Sequence, residues 1–107
     1  MELRYYTDLQ GQAPLTQWLD DLKDIRARAQ IRARLTRLAA GNLGDCKPLR
    51  DGVQEVKVDV GPGYRVYLSR QGAVLVLLLC GGDKGTQSRD IERAIAYLND
   101  WKQRGKP

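Results

Sequence analysis

The chain has 107 residues, 42% of them hydrophobic, with 18 basic and 13 acidic side chains, a formal net charge of +5 and no histidine. That length supports one small domain over residues 1–107 with a single core, and the positive balance favours a polyanionic partner, nucleic acid first, or an acidic binding protein. The lack of histidine excludes the common histidine triads and the histidine-containing zinc sites, so any catalysis must rest on Lys, Arg, Tyr, Asp or Glu.

Cys46 and Cys80 have no metal or redox spacing and read as reduced packing residues of a cytoplasmic protein. The segment MELRYYTDLQ has no apolar signal core, and no apolar run approaches the ~18 residues that a membrane span requires.

Taken in chain order, Glu2 to Tyr6 predicts a short strand, followed by the polar turn Asp8-Leu9-Gln10-Gly11. Pro14 suits the first turn of a helix, where its missing N–H costs nothing, and Leu15, Trp18, Leu19 and Leu22 form an apolar stripe at helical spacing. The pattern restarts near Asp24, with Ile25, Ile31, Leu35 and Leu38 on one side and Arg26, Arg28, Arg32, Arg34 and Arg37 largely on the other, until Gly41 ends it. The two helices are expected to form an antiparallel hairpin over one face of a sheet. The arginines read as a solvated face that steers a polyanion at least as readily as they read as a phosphate grip. Asn42 to Gly52 reads as a connecting loop in which Lys47 and Arg50 extend the positive surface.

The organising stretch is Val53 to Lys84. Val56, Val58 and Val60 alternate with Glu55, Lys57 and Asp59, the period of two expected of a strand that is apolar on one face and charged on the other. Gly61-Pro62-Gly63 supplies a turn, and Tyr64 to Leu68 resumes as a second strand. A three-residue loop sets Asp59 opposite Arg65 and Lys57 opposite Tyr67, polar beside polar, and places Lys57, Asp59, Arg65 and Tyr67 on one face. After a turn at Gln71-Gly72, the run Ala73 to Cys80 has the length and apolarity of a central strand covered on both faces. Pairing across that turn is expected to bring Val74, Val76 and Leu78 onto the face of Arg65. Gly81 to Gly85 forms a polar loop, Thr86 or Ser88 caps a last helix with Ile91, Ala94, Ile95 and Leu98 as its stripe, and Asp90 and Glu92 lie in its first turn. Lys102 to Pro107 reads as a frayed basic tail. The order is β-α-α-β-β-β-α, an α+β fold with a mostly antiparallel sheet, an N-terminal helical hairpin on one face and a C-terminal helix.

ELRYY, QWLDDLKD, GVQEVKVDVGPGYRVYL and LLLCGGDKGTQSRDIERA, in this order, resemble the RelE/ParE superfamily of type II toxin-antitoxin toxins, and within it the phage-derived, HigB-type addiction module killer proteins. The resemblance covers nearly the whole chain and rests on GPGYRVY together with LLCGGDK. It implies a RelE-like fold and a metal-independent endoribonuclease, without cofactor, that cuts messenger RNA, commonly on the ribosome, and halts translation. It also implies neutralisation by a cognate antitoxin, usually of helix-turn-helix type. A ParE-like poison of DNA gyrase that cuts nothing, or a degenerate module that only binds its antitoxin, is the alternative.

The resemblance carries the arginine of the GYR strand to Arg65 and the basic residue after the last strand to Lys84. Lys57 lies one residue out of the RelE lysine spacing. A catalytic tyrosine is not carried to Tyr97, which has no matching position. The chemistry agrees: an arginine fork matches phosphate oxygens and the charge of a pentavalent transition state. For Arg65 the competing role is a cross-strand ion pair with Asp59, worth only ~0.2–1 kcal/mol. Lys57 and Lys84 could move protons if crowded among other cations, or could be plain surface lysines. GGDKGT lacks the spacing of a P-loop. Tyr67, on the face of Arg65, could stack on a base, whereas alternation sends Tyr64 to the core. Arg89 sits at the mouth of the last helix, whose amides could hold a phosphate, and joins Lys47, Arg50 and Tyr67 as an RNA-binding candidate.

Overall fold

The computed structural model describes residues 1–107. Along the chain lie β1 (Glu2–Tyr5), α1 (Pro14–Asp21), α2 (Ile25–Ala39), β2 (Cys46–Pro48), β3 (Gln54–Val58), β4 (Tyr64–Gln71), β5 (Leu75–Asp83), a 3₁₀ turn (Lys84–Thr86) and α3 (Gln87–Gln103). The strands form one mixed sheet in the order β1-β5-β4-β3-β2. β1 runs parallel to β5, and the other three pairings are antiparallel. β2 is an addition to the sequence reading: within the predicted loop, Cys46–Pro48 pairs with Gln54–Val56 as a short edge strand.

Alternation along the strands divides the apolar interior into two layers. Val56, Val58, Tyr64, Val66, Leu68, Val76 and Leu78 face α1 and α2. Tyr67, Leu77, Leu79 and Cys80 face Ala94, Leu98 and Trp101 of α3. β5, hydrogen-bonded on both edges and covered on both faces, is the buried strand that its unbroken apolar run predicted. Asp24 caps α2 by accepting from the Ala27 N–H at 3.1 Å. Two details of α2 depart from the expected stripe. Ile25, at the cap end, is 70% exposed, and Arg34 is buried because its guanidinium donates to the carbonyls of Asn42 and Leu43, which end the following turn.

The hairpin registers differ from the sequence reading for separable reasons. Lys57 pairs with Arg65 and Glu55 with Tyr67, two residues from the expected register. The ladder stops at Val58, and Asp59–Gly63 forms a longer loop, closed by Gly63 N–H donating to Val60 O, with Gly61 and Gly63 at φ +57° and +86°. A shift of two keeps every side chain on its face, so the shared face of Lys57 and Arg65 survives. Across β4–β5, Gln71 pairs with Leu75, which makes that loop three residues where two were expected. The parity therefore inverts. Val76 and Leu78 face away from Arg65, and Val74 sits exposed in the loop. A bulge at Leu79, between the Leu68–Leu78 and Tyr67–Cys80 pairs, puts Leu79 and Cys80 on one face.

The C-terminal segment is not a frayed tail. α3 continues to Gln103, Arg104 donates to Asp100 and to Thr7 O, and the Trp101 indole N–H donates to Pro107 O at 2.8 Å.

Candidate functional site

The paired segment Lys57↔Arg65↔Gly82 runs straight across β3, β4 and β5, and Lys84 lies just beyond the end of β5. Lys57, Arg65 and Lys84 line one open cleft of about 410 Å³ together with Asp59 and the 60–63 loop. That is more than ten times the share of one water molecule, about 30 Å³, so the cleft has room for a phosphate and its substituents. Lys84 N–H donates to Gly63 O at 3.0 Å, which ties the loop wall of the cleft to its β5 wall.

Arg65 is the unusual member. Its side chain is 7% exposed, and Nε lies 2.7 Å from Oε1 of Glu55, itself 7% exposed. Glu55 pairs with Tyr67, so it reaches Arg65 diagonally across the β3–β4 ladder. Neither Nε nor Nη1 of Arg65 makes an aligned hydrogen bond, although both are shielded from solvent. Burying an unpaired donor costs about 1–3 kcal/mol, so Nη1 calls for an acceptor such as a water or ligand oxygen, whereas Nε has the Glu55 charge beside it. Glu55 in turn accepts from Gln87 Nε2 at 3.0 Å, which links the arginine to the first turn of α3.

The ion pair that the sequence reading set between Arg65 and Asp59 is therefore made by Glu55. Asp59 lies in the loop once the register moves by two. Glu55 was visible in sequence as one of the alternating polar residues of β3. Its partnership was not, because it depends on the register.

The two glycines before Asp83 are explained by what approaches them. A Cβ on Gly81 would overlap the Trp18 ring on one face, and a Cβ on Gly82 would overlap the Asp90 carboxylate on the other. Asp90 is more than the dipole partner that sequence predicted. It is buried against the sheet and accepts from the Thr86 hydroxyl. Thr86 is the cap residue of α3 but spends its hydroxyl on Asp90, not on a backbone amide.

The RNA-binding candidates separate by position. Arg89 lines an adjoining cleft with Lys84, Thr86 and Gln87. Tyr67 is fully buried under α3 with its hydroxyl unpartnered, so its ring is not open to a base. Burial raises the Tyr67 phenol above its ordinary range, reinforced by Glu55 and Asp90. Tyr64 packs in the opposite layer, edge-on to Trp18. Lys47 is exposed on β2 opposite Glu55, one strand out from the cleft. Arg50 pairs with Asp51 and Glu92 and lines a different depression. Neither lines the central cleft. Tyr97 stacks on Tyr6 with ring centroids 4.8 Å apart and likewise lies outside it. No three His, Cys, Asp or Glu side chains converge as a metal centre needs, and no helix is long and apolar enough to cross a membrane.

No family model matches the chain. A protein of Haemophilus influenzae (strain ATCC 51907 / DSM 11121 / KW20 / Rd), described only as an uncharacterized protein, is 57% identical to it over 77 residues, 72% of this chain and 78% of that protein.

Proposed function

The chain belongs to one family with this Haemophilus influenzae protein, whose description carries no activity, and from that premise we propose, on the chemistry of the cleft, that it is a metal-independent endoribonuclease. In this reading it is the RelE/ParE-like toxin of a toxin-antitoxin pair, acting on messenger RNA and neutralised by a cognate antitoxin. The observation that carries the reading is Arg65, a buried guanidinium with an unpartnered Nη1, beside a cleft with Lys57 and Lys84 on its walls. The resemblance of the GPGYRVY and LLCGGDK segments supports it, since those segments supply Arg65 and Lys84.

The ribose 2′-oxygen attacks the adjacent phosphorus in line. The O2′–P bond forms as the P–O5′ bond breaks, which leaves a 2′,3′-cyclic phosphate and a 5′-hydroxyl. Arg65 donates to the equatorial oxygens as charge builds on them. Because Glu55 already fixes the guanidinium, little reorganisation is needed at that moment. Lys57 and Lys84, on opposite walls, orient the phosphate, and one of the pair takes the 2′-hydroxyl proton while the other supplies a proton to the departing 5′-oxygen.

The test is brief expression without antitoxin, with 5′-hydroxyl ends mapped on cellular transcripts beside an Arg65→Ala control at equal protein level. The expected result is cuts inside translated frames, reduced by about 10²–10³-fold in the control. Arrested growth with broken DNA and intact messages would replace the reading with a gyrase poison. Unimpaired growth would leave a module that only binds its antitoxin.

A further inference from the structure

The cleft around Arg65 does not end at Lys57. A second groove, between α2 and the end of β3, is lined by Gln30, Arg34 and Arg37 and shares Lys57 and Asp59 with the central cleft. On the other side, the cleft at the mouth of α3 shares Lys84 with it. The edge between the first two is open for a reason visible in the ladder. β2 pairs only with Gln54–Val56, so Lys57 and Val58 have no strand outside them. We infer that the three grooves form one track for a single-stranded nucleic acid, entering along α2 at Arg37, crossing the open edge of β3 at Lys57, passing Arg65 and Lys84, and leaving at Arg89. The inference rests on the nuclease reading for what the central phosphate is, and adds the path of the strand on either side of it.

Three observations favour a chain of phosphates over one small anion. Arg37, Lys57, Lys84 and Arg89 are exposed and make no ion pair, as do other surface cations such as Arg26 and Arg70, but these four follow one another along adjoining grooves. Asp59 is the only carboxylate on the lining of the three grooves. One phosphate would be served by the central cleft alone, whereas Arg37 and Arg89, in the grooves on either side of it, are placed to meet further phosphates. The bend over the sheet edge suits a flexible single strand and not a duplex, which is stiff over about 150 base pairs.

The lining also sets the mode of binding. It contains no aromatic side chain and, among apolar ones, only Ala33, Val58, Val60 and Pro62. Base stacking, worth about 1–3 kcal/mol per base where aromatics are present, is therefore absent. Affinity comes from phosphates, so it should tolerate sequence and fall steeply with salt. Five cations in contact, Arg37, Lys57, Arg65, Lys84 and Arg89, give a slope of log K against log salt of about −3.5, at ~0.7 per phosphate for single strands.

The test uses labelled oligodeoxynucleotides of about 4 and about 12 nucleotides, the span of known single-strand site sizes. They carry the phosphates but lack the 2′-hydroxyl nucleophile, so binding is read without cleavage. Anisotropy titrations over a salt series compare the wild type with Arg37→Gln, an exposed helix position where glutamine keeps the helix. Arg37→Gln should weaken the long strand, shallow its slope by about 0.7 and leave the short strand unchanged. Equal affinity and slope for the long strand in both proteins would overturn the track, and so would no binding by the wild type. The outcomes separate from the function test. Transcript cutting with Arg37-independent binding refutes the track and leaves the nuclease, and Arg37-dependent binding without cutting does the reverse.

Discussion

Glu55 and Arg65 each depend on the other for compensation of a buried charge. A buried pair is weak evidence for stability, but breaking one is costly, because the remaining ion stays desolvated. Glu55→Ala should therefore destabilise the protein by about 3–5 kcal/mol in urea unfolding, well beyond a surface change such as Lys47→Ala, which should lie within about 0.5 kcal/mol. Equal costs would show that Arg65 finds another partner or leaves the interior. Tyr67 supplies the opposite case. Its hydroxyl is buried without a partner, so Tyr67→Phe should leave stability unchanged or raise it by about 1 kcal/mol. Transcript cutting should survive that substitution, since the ring lies under α3 and not in the cleft. The sequence put Tyr67 on the correct face. It could not show that α3 covers that half of the face while leaving Arg65 at the rim.

The first turn of α3 is positioned by contacts that bear on two strands. Asp90 rests on Gly82, Thr86 bonds Asp90, and Gln87 reaches Glu55, so the helix mouth and the Arg65 pair move together. Gly82→Ala should cost about 1–3 kcal/mol by pushing the Asp90 carboxylate off the sheet. In an Asp90→Ala background the same change should cost much less, and a double-mutant cycle would read that coupling. Additive costs would mean that the strain lies in the strand alone. All the strands but the short edge strand β2 were legible from alternation and apolar runs, and the helices from their stripes and from Pro14 and Asp24. Registers were less so, because loop length decides them. One extra residue in the Gly72–Val74 loop turned Leu75–Leu78 of β5 over relative to the expected pairing, and the bulge at Leu79 restored the parity from Cys80 onward.

Across the whole molecule, the two ends of the chain meet where Tyr6 donates to Asp100 at 2.7 Å and Arg104 bonds the same carboxylate. The Tyr6 bond, with Arg104, holds Asp100 below the usual carboxylate range. Its contribution is present above about pH 4 and lost as pH falls. The alkaline side is set by burial. It raises the Cys80 thiol from about 9 to about 12 and, helped by Asp100, the Tyr6 phenol from 10 to about 12. A raised pKa means that the unfolded chain loses its proton first. The stability is therefore complete below about pH 9 and declines above it, by about 1.4 kcal/mol per pH unit for each group that only the unfolded chain has ionised. A Tm profile should fall from pH 9 upward, and Cys80→Ala should flatten its first unit. An unchanged slope would show that the thiol ionises in the folded state. The sequence by itself determined most element types, the two-faced character of β3 and the cationic surface, because periodicity, turn residues and charge are local properties, while the candidacy of Arg65 and Lys84 came from the resemblance of their segments. Only the tertiary structure decided that Glu55 holds Arg65, that Tyr67 is covered, that Arg50 is paired away and that Arg37 adjoins the cleft. Those outcomes turn on register, loop length and which helix lies over which strand, and they are fixed by contacts between residues far apart in the chain.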